Sequence, residues 1–261
     1  MSIHRIHLLD VPIDAVTQTQ ALDRIRVLLA SAGQQHVVTP NNEMLVIAHR
    51  DASFRSVLQR AALNLPDSTG VVLMARLQGT PLPERVTGTD TMQRLCETLG
   101  PEHPVFLLGA MPGVAERVAD VLRQRNSGLR IVGTFDGSPR EEDAPAIIHK
   151  INDVKPVILF VAYGAPLQEM WIDRYVQHLP TVRVAMGVGG AFDFIAGIQK
   201  RAPGWMRAIG LEWAWRFIQE PSRWKRMWRA VVVFPVLCFF TRPRASAPPE
   251  PPPTFPRSSS V

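Results

Sequence analysis

The stretch VILFVAYGAPLQE, residues 157–169, contains a complete transition from a strand to a helix. Its first six residues form an apolar run of the length and composition that is typical of a strand buried on both faces. Gly164 and Pro166 follow, and Gln168 begins a helical pattern that continues to His178. A short apolar strand that leads into a helix is the repeating unit of a parallel sheet.

The same alternation extends over the first 199 residues. The predicted strands are His36–Thr39, Val105–Leu108, Leu129–Gly133, Val157–Ala162 and Val182–Val188. The predicted helices are Ala15–Ala32, Glu43–Arg50, Thr91–Leu99, Gly113–Arg125 and Gln168–His178. This order predicts an α/β fold with a Rossmann-like, parallel-sheet core. Because such sheets bind ligands outside the carboxyl ends of their strands, the loops after the apolar runs are the candidate site.

The basic charge of the chain is concentrated in one C-terminal segment. Residues 1–199 contain 18 Lys and Arg against 20 Asp and Glu, whereas residues 200–229 contain 8 against 2, together with five of the six tryptophans. The apolar run 230–240 follows directly. We therefore expect an α/β core over residues 1–199, a basic, Trp-rich, amphipathic appendage over residues 200–242, and a disordered, Pro-rich tail over residues 243–261.

Two kinds of partner fit the appendage. Arg and Trp followed by aliphatic and aromatic residues are typical of a helix that lies at a membrane interface. Nucleic acid also binds basic, aromatic surfaces, but these do not usually continue into a run as apolar as residues 230–240. The sequence therefore favours a membrane surface, and nucleic acid is not expected. As a helix the run would rise only about 16 Å, half the roughly 30 Å of a bilayer core, so no spanning helix is expected.

Length, composition and cysteine count limit the class of protein to which the chain can belong. The 261 residues are 46% hydrophobic and 20% charged, which predicts a packed core rather than disorder. The two cysteines, Cys96 and Cys238, cannot form a disulfide framework, so we expect a reducing compartment. The first ten residues show no signal-peptide pattern, and a secreted protein is not expected.

Polar residues follow the first predicted strand, in the loop TPNNE at residues 39–43. A helix start explains this loop in part, with Asn42 as the cap. It does not explain Thr39 at the end of the strand. Thr39 and Asn41 are therefore candidates for binding sugar hydroxyls.

Two further loops are open to a structural or a functional interpretation. The loop PDSTG at residues 66–70 is compatible with an ordinary turn, or with Asp67 as a general base at the rim of a site. Gln168, at the start of a helix, is compatible with simple capping or with a role in the site. The sequence alone does not decide between these interpretations.

Single cations and glycines mark the other loops. Arg85 fits an ion pair with Glu84 or Asp90, or a contact with a phosphate. The loops at Gly109 and at Gly189-Gly190 each lie between a strand and a helix, where backbone N–H groups can approach a diphosphate. Neither loop matches G-x-G-x-x-G or G-x-x-x-x-G-K-[ST], so nucleotide binding is only suggested.

Motifs for metals and for nucleophilic hydrolases are missing. The sequence has no D-x-D pair, and the acidic residues 141–143 resemble a solvated surface. The seven histidines have no metal-ligand spacing, and no G-x-S-x-G elbow is present. We therefore expect no bound metal and no other cofactor, and the hydrolase and metalloenzyme classes are not favoured.

Taken together, the loops form an ordered set of motifs. The set is Thr39-Pro40-Asn41, Pro66-Asp67, Glu84-Arg85-Val86-x-Gly88, Gly164-x-Pro166-x-Gln168-Glu169, Gly189-Gly190-x-Phe192-Asp193-x-x-Ala196-Gly197, Arg201-Ala202-Pro203 and Glu212-Trp213-x-x-Arg216. It resembles the WecG/TagA/CpsF family, which contains bacterial glycosyltransferases of enterobacterial common antigen, wall teichoic acid and capsule or exopolysaccharide synthesis. The resemblance covers about residues 8 to 229.

This resemblance implies a reaction and a location. The reaction is an inverting, metal-independent transfer of a sugar from a UDP-sugar to a sugar diphosphate on a polyprenyl lipid, with an expected β-1,4 linkage. The location is peripheral, at the cytoplasmic face of the bacterial inner membrane, and a homo-oligomer is compatible with it. N-acetylmannosamine, its uronic acid and glucose all remain possible as the donor sugar.

The resemblance also implies roles for single residues. Asp67 matches the aspartate proposed as the base, and Thr39 and Asn41 match residues of the acceptor or base region. Arg85 and Gln168 match further residues of the active site, and the stretch from Gly189-Gly190 to Asp193 matches the nucleotide-binding side. The arginines that match positions for the lipid diphosphate are Arg216, Arg223 and Arg226.

Ser68 departs from the family, which usually has glycine after this aspartate. If the position needs a positive φ, Ser68 is strained by about 1 kcal/mol, or the turn has a different shape.

One alternative comes from a different class, a non-catalytic scaffold that binds the lipid diphosphate. The enzyme needs the carboxylate of Asp67, whereas the scaffold needs only the three arginines. Their spacing, 7 and 3 residues, would place Arg216, Arg223 and Arg226 on one helix face if the helix continues across Pro221.

Overall fold

A six-stranded parallel sheet forms the centre of the computed structural model, which describes residues 4–208, 211–219 and 224–241, with the backbone alone for residues 207, 208 and 216. The strands in the described residues are β1 (Arg5–Leu8), β2 (Val11–Asp14), β3 (Gln35–Val38), β4 (Leu63–Asn64), β5 (Val105–Gly109), β6 (Ile131–Phe135), β7 (Ile158–Ala162) and β8 (Val184–Gly187). The sheet order is β4-β3-β8-β7-β5-β6, and all neighbouring strands are parallel. The predicted α/β fold is confirmed.

Helices connect these strands, and each predicted helix is present with ends that differ by a few residues. They are α1 (Gln18–Ala30), α2 (Asn42–Arg50), α3 (Ala52–Arg60), α4 (Thr69–Leu77), α5 (Gly88–Thr98), α6 (Val114–Arg125), α7 (Ala144–Val154), α8 (Leu167–Tyr175) and α9 (Ala191–Ile195), with 3-10 turns at Glu141–Asp143 and Val176–His178. The helices α3, α4 and α7 are additional to those predicted from the sequence. Only Asp51 separates α2 from α3, and its Oδ1 caps α3 by accepting from Ser53 N at 2.9 Å.

The central strands are buried on both faces, as their apolar runs predict. All residues of β5 and β7 are buried. Along β7, Ile158 and Phe160 belong to the apolar cluster with α1, α5, α6 and α9, whereas Leu159 and Val161 belong to the cluster with α7 and α8. Successive side chains thus alternate between the two faces. The loops at the carboxyl edge therefore emerge from strands that are fixed on both sides.

The β1–β2 hairpin and the very short strand β4 were not predicted from the sequence, because these strands are too short to show a clear alternation of apolar and polar residues. β4 has two residues, and β1 pairs with β2 over four. Asp14 joins the hairpin to the sheet, because its Oδ2 accepts a hydrogen bond from Asn64 N at 2.7 Å while its Oδ1 pairs with Arg5 Nε at 2.7 Å. The hairpin thereby supports the strand that leads to Asp67.

The appendage consists of short helices. They are α10 (Gly204–Ala208), α11 (Glu212–Gln219), α12 (Trp224–Trp228), a π-helical turn at Arg229–Val233, and α13 (Phe234–Phe240). The π-helical turn and α13 pack on α2, and α13 also packs on α4. Phe234 and Cys238 are buried in an apolar cluster with residues of α2 and α4, and Gln78 Nε2 donates to Cys238 O at 2.7 Å. Phe239 and Phe240 of the same helix are 82% and 80% exposed. The predicted C-terminal helices are present, and α13 buries one side in the apolar cluster while the rings on its other side are exposed.

Other predictions for this end of the chain remain predictions. Within the described ranges, no helix has both the length and the apolar character that crossing a membrane requires. The expected disordered tail, residues 243–261, and the break at Pro221 lie outside the described residues. The boundary of the core at residue 199 stays a prediction.

We expect Phe234→Ala to lower the free energy of unfolding by about 3–5 kcal/mol, because it removes a fully buried ring and leaves a cavity. Phe239→Ala, in the same helix, is the matched control and should change it by less than about 0.5 kcal/mol. Urea unfolding followed by tryptophan fluorescence measures both. Equal effects of the two substitutions would contradict the docked position of α13.

Candidate active site

The loops after β3 and β4 are joined at the carboxyl edge of the sheet. Thr39 directly follows β3 and is buried, and Gly88 packs so closely that a Cβ on it would lie 3.2 Å from Thr39 Oγ1. Asp67 follows β4, and its backbone N–H donates to Pro40 O at 3.1 Å. The structure thus places the loop of the predicted base against the loop of the predicted acceptor residues.

Asn41, rather than Asn42, caps α2. The Asn41 Oδ1 accepts a hydrogen bond from Met44 N at 3.1 Å, so the prediction that Asn42 is the cap is wrong by one residue. Asn42 instead accepts from Ser68 Oγ at 2.6 Å, and its Nδ2 donates to Ala230 O at 2.7 Å. One amide therefore connects the loop of Asp67 with the appendage.

Ser68 is not strained. Its φ of −130° and ψ of 148° are extended, and its Oγ accepts from Val71 N at 3.3 Å as the cap of α4. The positive φ considered for this position does not occur, because the residue begins a helix and serine is one of the preferred caps. Asp67 accordingly lies directly before a capped helix.

Arg85 pairs with the appendage. Its Nη1 lies 3.1 Å from Glu212 Oε2 of α11. Glu84 and Asp90, the two ion-pair partners that the sequence suggested for Arg85, bind other residues. Glu84 accepts a hydrogen bond from the backbone N–H of Gln18, the first residue of α1, and Asp90 pairs with Arg201. The pair holds a predicted substrate-binding cation between the core and α11.

Arg201 belongs to one of the quoted motifs, but the sequence analysis assigned no role to it. Its Nη1 and Nη2 donate to the Asp90 carboxylate at 2.6 and 3.2 Å. The hydrogen bond to Asp90 raises the pKa of Arg201, burial opposes this, and the charges of Asp90, Glu212 and Asp67 raise it further. Because the charge of Asp67 contributes to this shift, the guanidinium and the predicted base attract each other. In the sequence, the single cationic residue of the motif Arg201-Ala202-Pro203 was the signal for such a role.

Gln168 joins the loops after β7 and β8. Its Oε1 accepts from Gly164 N at 3.0 Å and from Gly189 N at 2.9 Å, and its Nε2 donates to Glu169 Oε1 at 2.7 Å. Simple capping is therefore not its role, because the bonds bridge two loops. A Cβ at Gly187 would stand 2.5 Å from Glu169 Oε1 and 2.6 Å from Gln168 Nε2, so only glycine fits beside this pair.

Glu169 is a buried carboxyl that the sequence analysis also left without a role. It is fully buried, and its Oε2 has no hydrogen-bond partner among the described residues. Burial raises the pKa of Glu169 to about 7, and the hydrogen bond from Gln168 partly opposes the shift. In the sequence an acidic residue in the first turn of a helix is ordinary, and only the packing of α8 on the sheet buries it.

The remaining predicted glycines lie on the same edge. Gly109 ends β5 with a φ of 99°, and a Cβ there would stand 3.0 Å from Ala162 C. Gly190 occupies the cap position of α9, without a side-chain cap. Asp193 lies in α9, and its carbonyl accepts from Ile198 N at 2.9 Å, which closes the turn that leads toward Arg201.

Arg226 is the one predicted appendage arginine with a described side chain. Its Nε lies 2.8 Å from Glu43 Oε2, and Arg229 Nη1 lies 3.7 Å from Glu43 Oε1. Arg223 and the side chain of Arg216 lie outside the described residues, and so does the predicted common face of the three arginines. Arg226 is thus placed at the first turn of α2, beside the predicted acceptor region.

Charge at this edge comes from guanidinium groups and backbone N–H groups. Arg85, Arg201 and Arg226 each pair with a carboxylate from a different part of the chain. In the part of the chain that the structure describes, no three His, Cys, Asp or Glu side chains form a group that could hold a metal ion. The described site can therefore offer a bound diphosphate several arginines and glycine loops.

The sheet and its polar edge define an α/β protein whose candidate site lies at the carboxyl ends of the parallel strands, and comparison with known families shows its class of activity. The chain belongs to the WecG/TagA/CpsF family of glycosyl transferases, whose model matches residues 6–247. The protein is therefore a glycosyltransferase, and the resemblance carried by the motifs is confirmed. This finding favours the enzyme over the non-catalytic scaffold.

Several characterised relatives are named N-acetylglucosaminyldiphosphoundecaprenol N-acetyl-beta-D-mannosaminyltransferase. The relative from Bacillus subtilis strain 168 is 36% identical over 192 residues, which are 73% of this chain and 74% of the relative. The relative from Bacillus spizizenii is 35% identical over the same shares. The relative from Staphylococcus aureus strain MW2 is 30% identical over 228 residues, which are 86% of this chain and 87% of the relative.

We expect Glu169→Gln to make the stability less dependent on pH. Because the pKa of Glu169 is about 7 in the folded protein and 4.5 in the free side chain, the protonated carboxyl contributes stability that is fully present below pH 4.5 and is lost as the pH rises through 7. Glutamine does not ionise. The stability of the variant relative to wild type should therefore rise by about 2 kcal/mol between pH 5.5 and 8.5.

Urea unfolding at the two pH values measures this change. Glu142→Gln is the control, because that side chain is exposed. A constant difference between Glu169→Gln and wild type would mean that Glu169 titrates normally in the folded protein.

Proposed function

We propose that the protein transfers a sugar, with inversion and without a metal, from a UDP-sugar to a sugar diphosphate on a polyprenyl lipid. The observation that carries this proposal is the position of Asp67, at the carboxyl edge, against the Thr39 loop and within the field of Arg201. The names of the relatives favour N-acetylmannosamine as the donor sugar and an undecaprenyl-linked N-acetylglucosamine as the acceptor. The expected linkage is β-1,4.

Asp67 acts as the general base. It takes the proton of the acceptor hydroxyl while that oxygen forms a bond to the anomeric carbon, and the bond from this carbon to the UDP oxygen breaks on the opposite face. The proton ends on the carboxyl, and UDP leaves with the electron pair. One carboxylate is sufficient, because inversion passes through no glycosyl-enzyme.

Arginines and backbone N–H groups stabilise the charge that develops on UDP. The charge of Asp67 acts on Arg201, and Arg85 is paired with Glu212, whose charge also acts on Arg201. The glycine loops at Gly109 and Gly190 lie at the same carboxyl edge and let the backbone approach the diphosphate. Fixed positive groups aimed at a developing anion are commonly the largest catalytic contribution.

The appendage delivers the lipid acceptor. Arg226, held by Glu43 at the first turn of α2, meets the lipid diphosphate, and Arg216 and Arg223 join it in this proposal. The exposed apolar side chains of the appendage rest on the cytoplasmic face of the membrane; they include Trp205, Trp213, Trp224, Trp228, Val236, Phe239 and Phe240. Basic and aromatic residues together are typical of such interfacial segments.

We expect Asp67→Asn to slow UDP release by about 100- to 10,000-fold with little change in donor affinity, because it removes a base but keeps the shape of the side chain. The assay uses a short-chain polyprenyl-diphosphate N-acetylglucosamine, a panel of UDP-sugars and EDTA. Asp120→Asn, an exposed site on α6, is the matched control.

Three outcomes of this assay would contradict parts of the proposal. Full activity of Asp67→Asn would exclude it as the base. Activity that EDTA removes and Mg²⁺ restores would exclude metal independence. A wild type that binds the lipid diphosphate tightly but turns over no donor would favour the scaffold.

We expect the double variant Phe239→Asp, Phe240→Asp to lose at least about tenfold in binding to anionic vesicles. The substitution removes two exposed rings and adds negative charge, while the buried Phe234 stays in place. Val27→Asp, an exposed apolar site on α1, is the control. Vesicle co-sedimentation measures the binding, and equal sedimentation of all three proteins would contradict the membrane contact.

A further inference from the structure

The side chain of Asn42 lies between the loop of Asp67 and the appendage. Its Oδ1 accepts a hydrogen bond from Ser68 Oγ at 2.6 Å, and its Nδ2 donates to Ala230 O at 2.7 Å. These partners are 26 and 188 residues away in the sequence. The reaction proposed above gives this amide no role.

The backbone of the appendage explains why it needs a donor from the core. In its π-helical turn, the N–H of Phe234 donates to the carbonyl of Arg229, five residues earlier. In the same register, the donor for Ala230 O would be residue 235, which is Pro235 and has no N–H. Asn42 Nδ2 thus supplies a hydrogen bond that the helix cannot supply.

The space around Asn42 admits one orientation of its amide. A Cβ on Gly70, in the first turn of α4, would lie 2.2 Å from Asn42 Nδ2 and 2.6 Å from its Oδ1, so the amide packs directly on this turn. Because Ala230 O can only accept, Nδ2 must face the appendage. Oδ1 then faces the hydroxyl of Ser68.

Ser68 transmits this contact to Asp67, the residue that precedes it. Its Oγ donates to Asn42 and also accepts from Val71 N at 3.3 Å, as the cap of α4. On the other side, the N–H of Asp67 donates to Pro40 O at 3.1 Å. Asp67 is therefore held between two anchors, and one of them depends on the appendage.

Other contacts keep the appendage docked when Asn42 is replaced. The ring of Phe234 is fully buried, Gln78 Nε2 donates to Cys238 O at 2.7 Å, and Arg226 pairs with Glu43. A substitution of Asn42 therefore breaks the connection between the appendage and the Asp67 loop without removing the apolar docking.

We propose that Asn42 is a positioning residue for the transfer reaction, which holds the loop of Asp67 in its reactive position when the appendage is docked. This role rests on the proposed function of Asp67 as the base. Asn42 acts through Ser68 and not by contact with a substrate. Because a displacement of about 1 Å can cost about 100-fold in rate, loss of the connection should lower kcat rather than the affinity for the donor.

The first test measures kcat and KM of two full-length variants. Asn42→Asp keeps an acceptor for Ser68 but places an oxygen against Ala230 O, whereas Asn42→Leu keeps the branched shape and removes both bonds. Each should lower kcat by about 10- to 100-fold and leave the KM of the UDP-sugar within about twofold. Unchanged kcat in both variants would overturn the inference and leave the proposed function standing.

Asn152→Asp is the matched control. Asn152 Nδ2 donates to His178 O at 3.0 Å, so this substitution breaks an equivalent bond between an amide and a carbonyl, on α7. Its kcat should equal that of wild type. An equal loss of kcat in Asn152→Asp and Asn42→Asp would mean a general structural effect and would overturn the inference.

A double-mutant cycle tests whether Ser68 lies on the same connection. Ser68→Ala should also lower kcat, and Ser68→Ala combined with Asn42→Leu should be no slower than the slower single variant. Asp51→Ala, which removes the cap of α3, controls for the loss of a helix cap and should keep the wild-type kcat. Additive losses in the cycle would contradict a shared connection.

Hydrogen exchange followed by mass spectrometry tests the connection without turnover. In Asn42→Asp the amides of residues 67–72 should exchange at least about tenfold faster than in wild type, and in Asn152→Asp they should not. Unchanged exchange in Asn42→Asp would overturn the inference. Full activity of Asp67→Asn would instead overturn the proposed base, and the positioning role with it.

Discussion

The side-chain amide of Gln168 makes the hydrogen bonds on which the candidate site at the carboxyl edge of the sheet depends. A parallel sheet ends its ladder of hydrogen bonds where its strands end, so the loops beyond need other bonds to keep their positions. Gln168 Oε1 holds two of them through Gly164 N and Gly189 N. The buried Glu169 accepts from Gln168 Nε2 and thereby fixes which end of the amide faces the loops. Gly187 must lack a side chain to leave room for this pair.

Polar contacts between distant segments then attach the appendage to this edge. Arg85 meets Glu212, Arg226 meets Glu43, and the Asn42 amide connects Ser68 with Ala230 O. Partly exposed ion pairs contribute little to stability, so their importance lies in placing guanidinium groups beside the loops. The buried ring of Phe234 provides the apolar part of the docking. The segment proposed to receive the lipid is therefore attached to the loop that carries Asp67.

The sequence by itself determined the α/β class, the order of strands and helices, and the loops that carry Thr39, Asp67 and Gln168. These are local properties, because apolar runs and helix starts are read within about ten residues. Short elements such as β4 were missed for the same reason, because two residues are too few to show an alternating pattern. Only the tertiary structure decided the partners. Glu212 is 127 residues from Arg85, and Glu43 is 183 residues from Arg226. The burial of Glu169 likewise arises only when α8 packs on the sheet, because desolvation depends on neighbours that are distant in sequence.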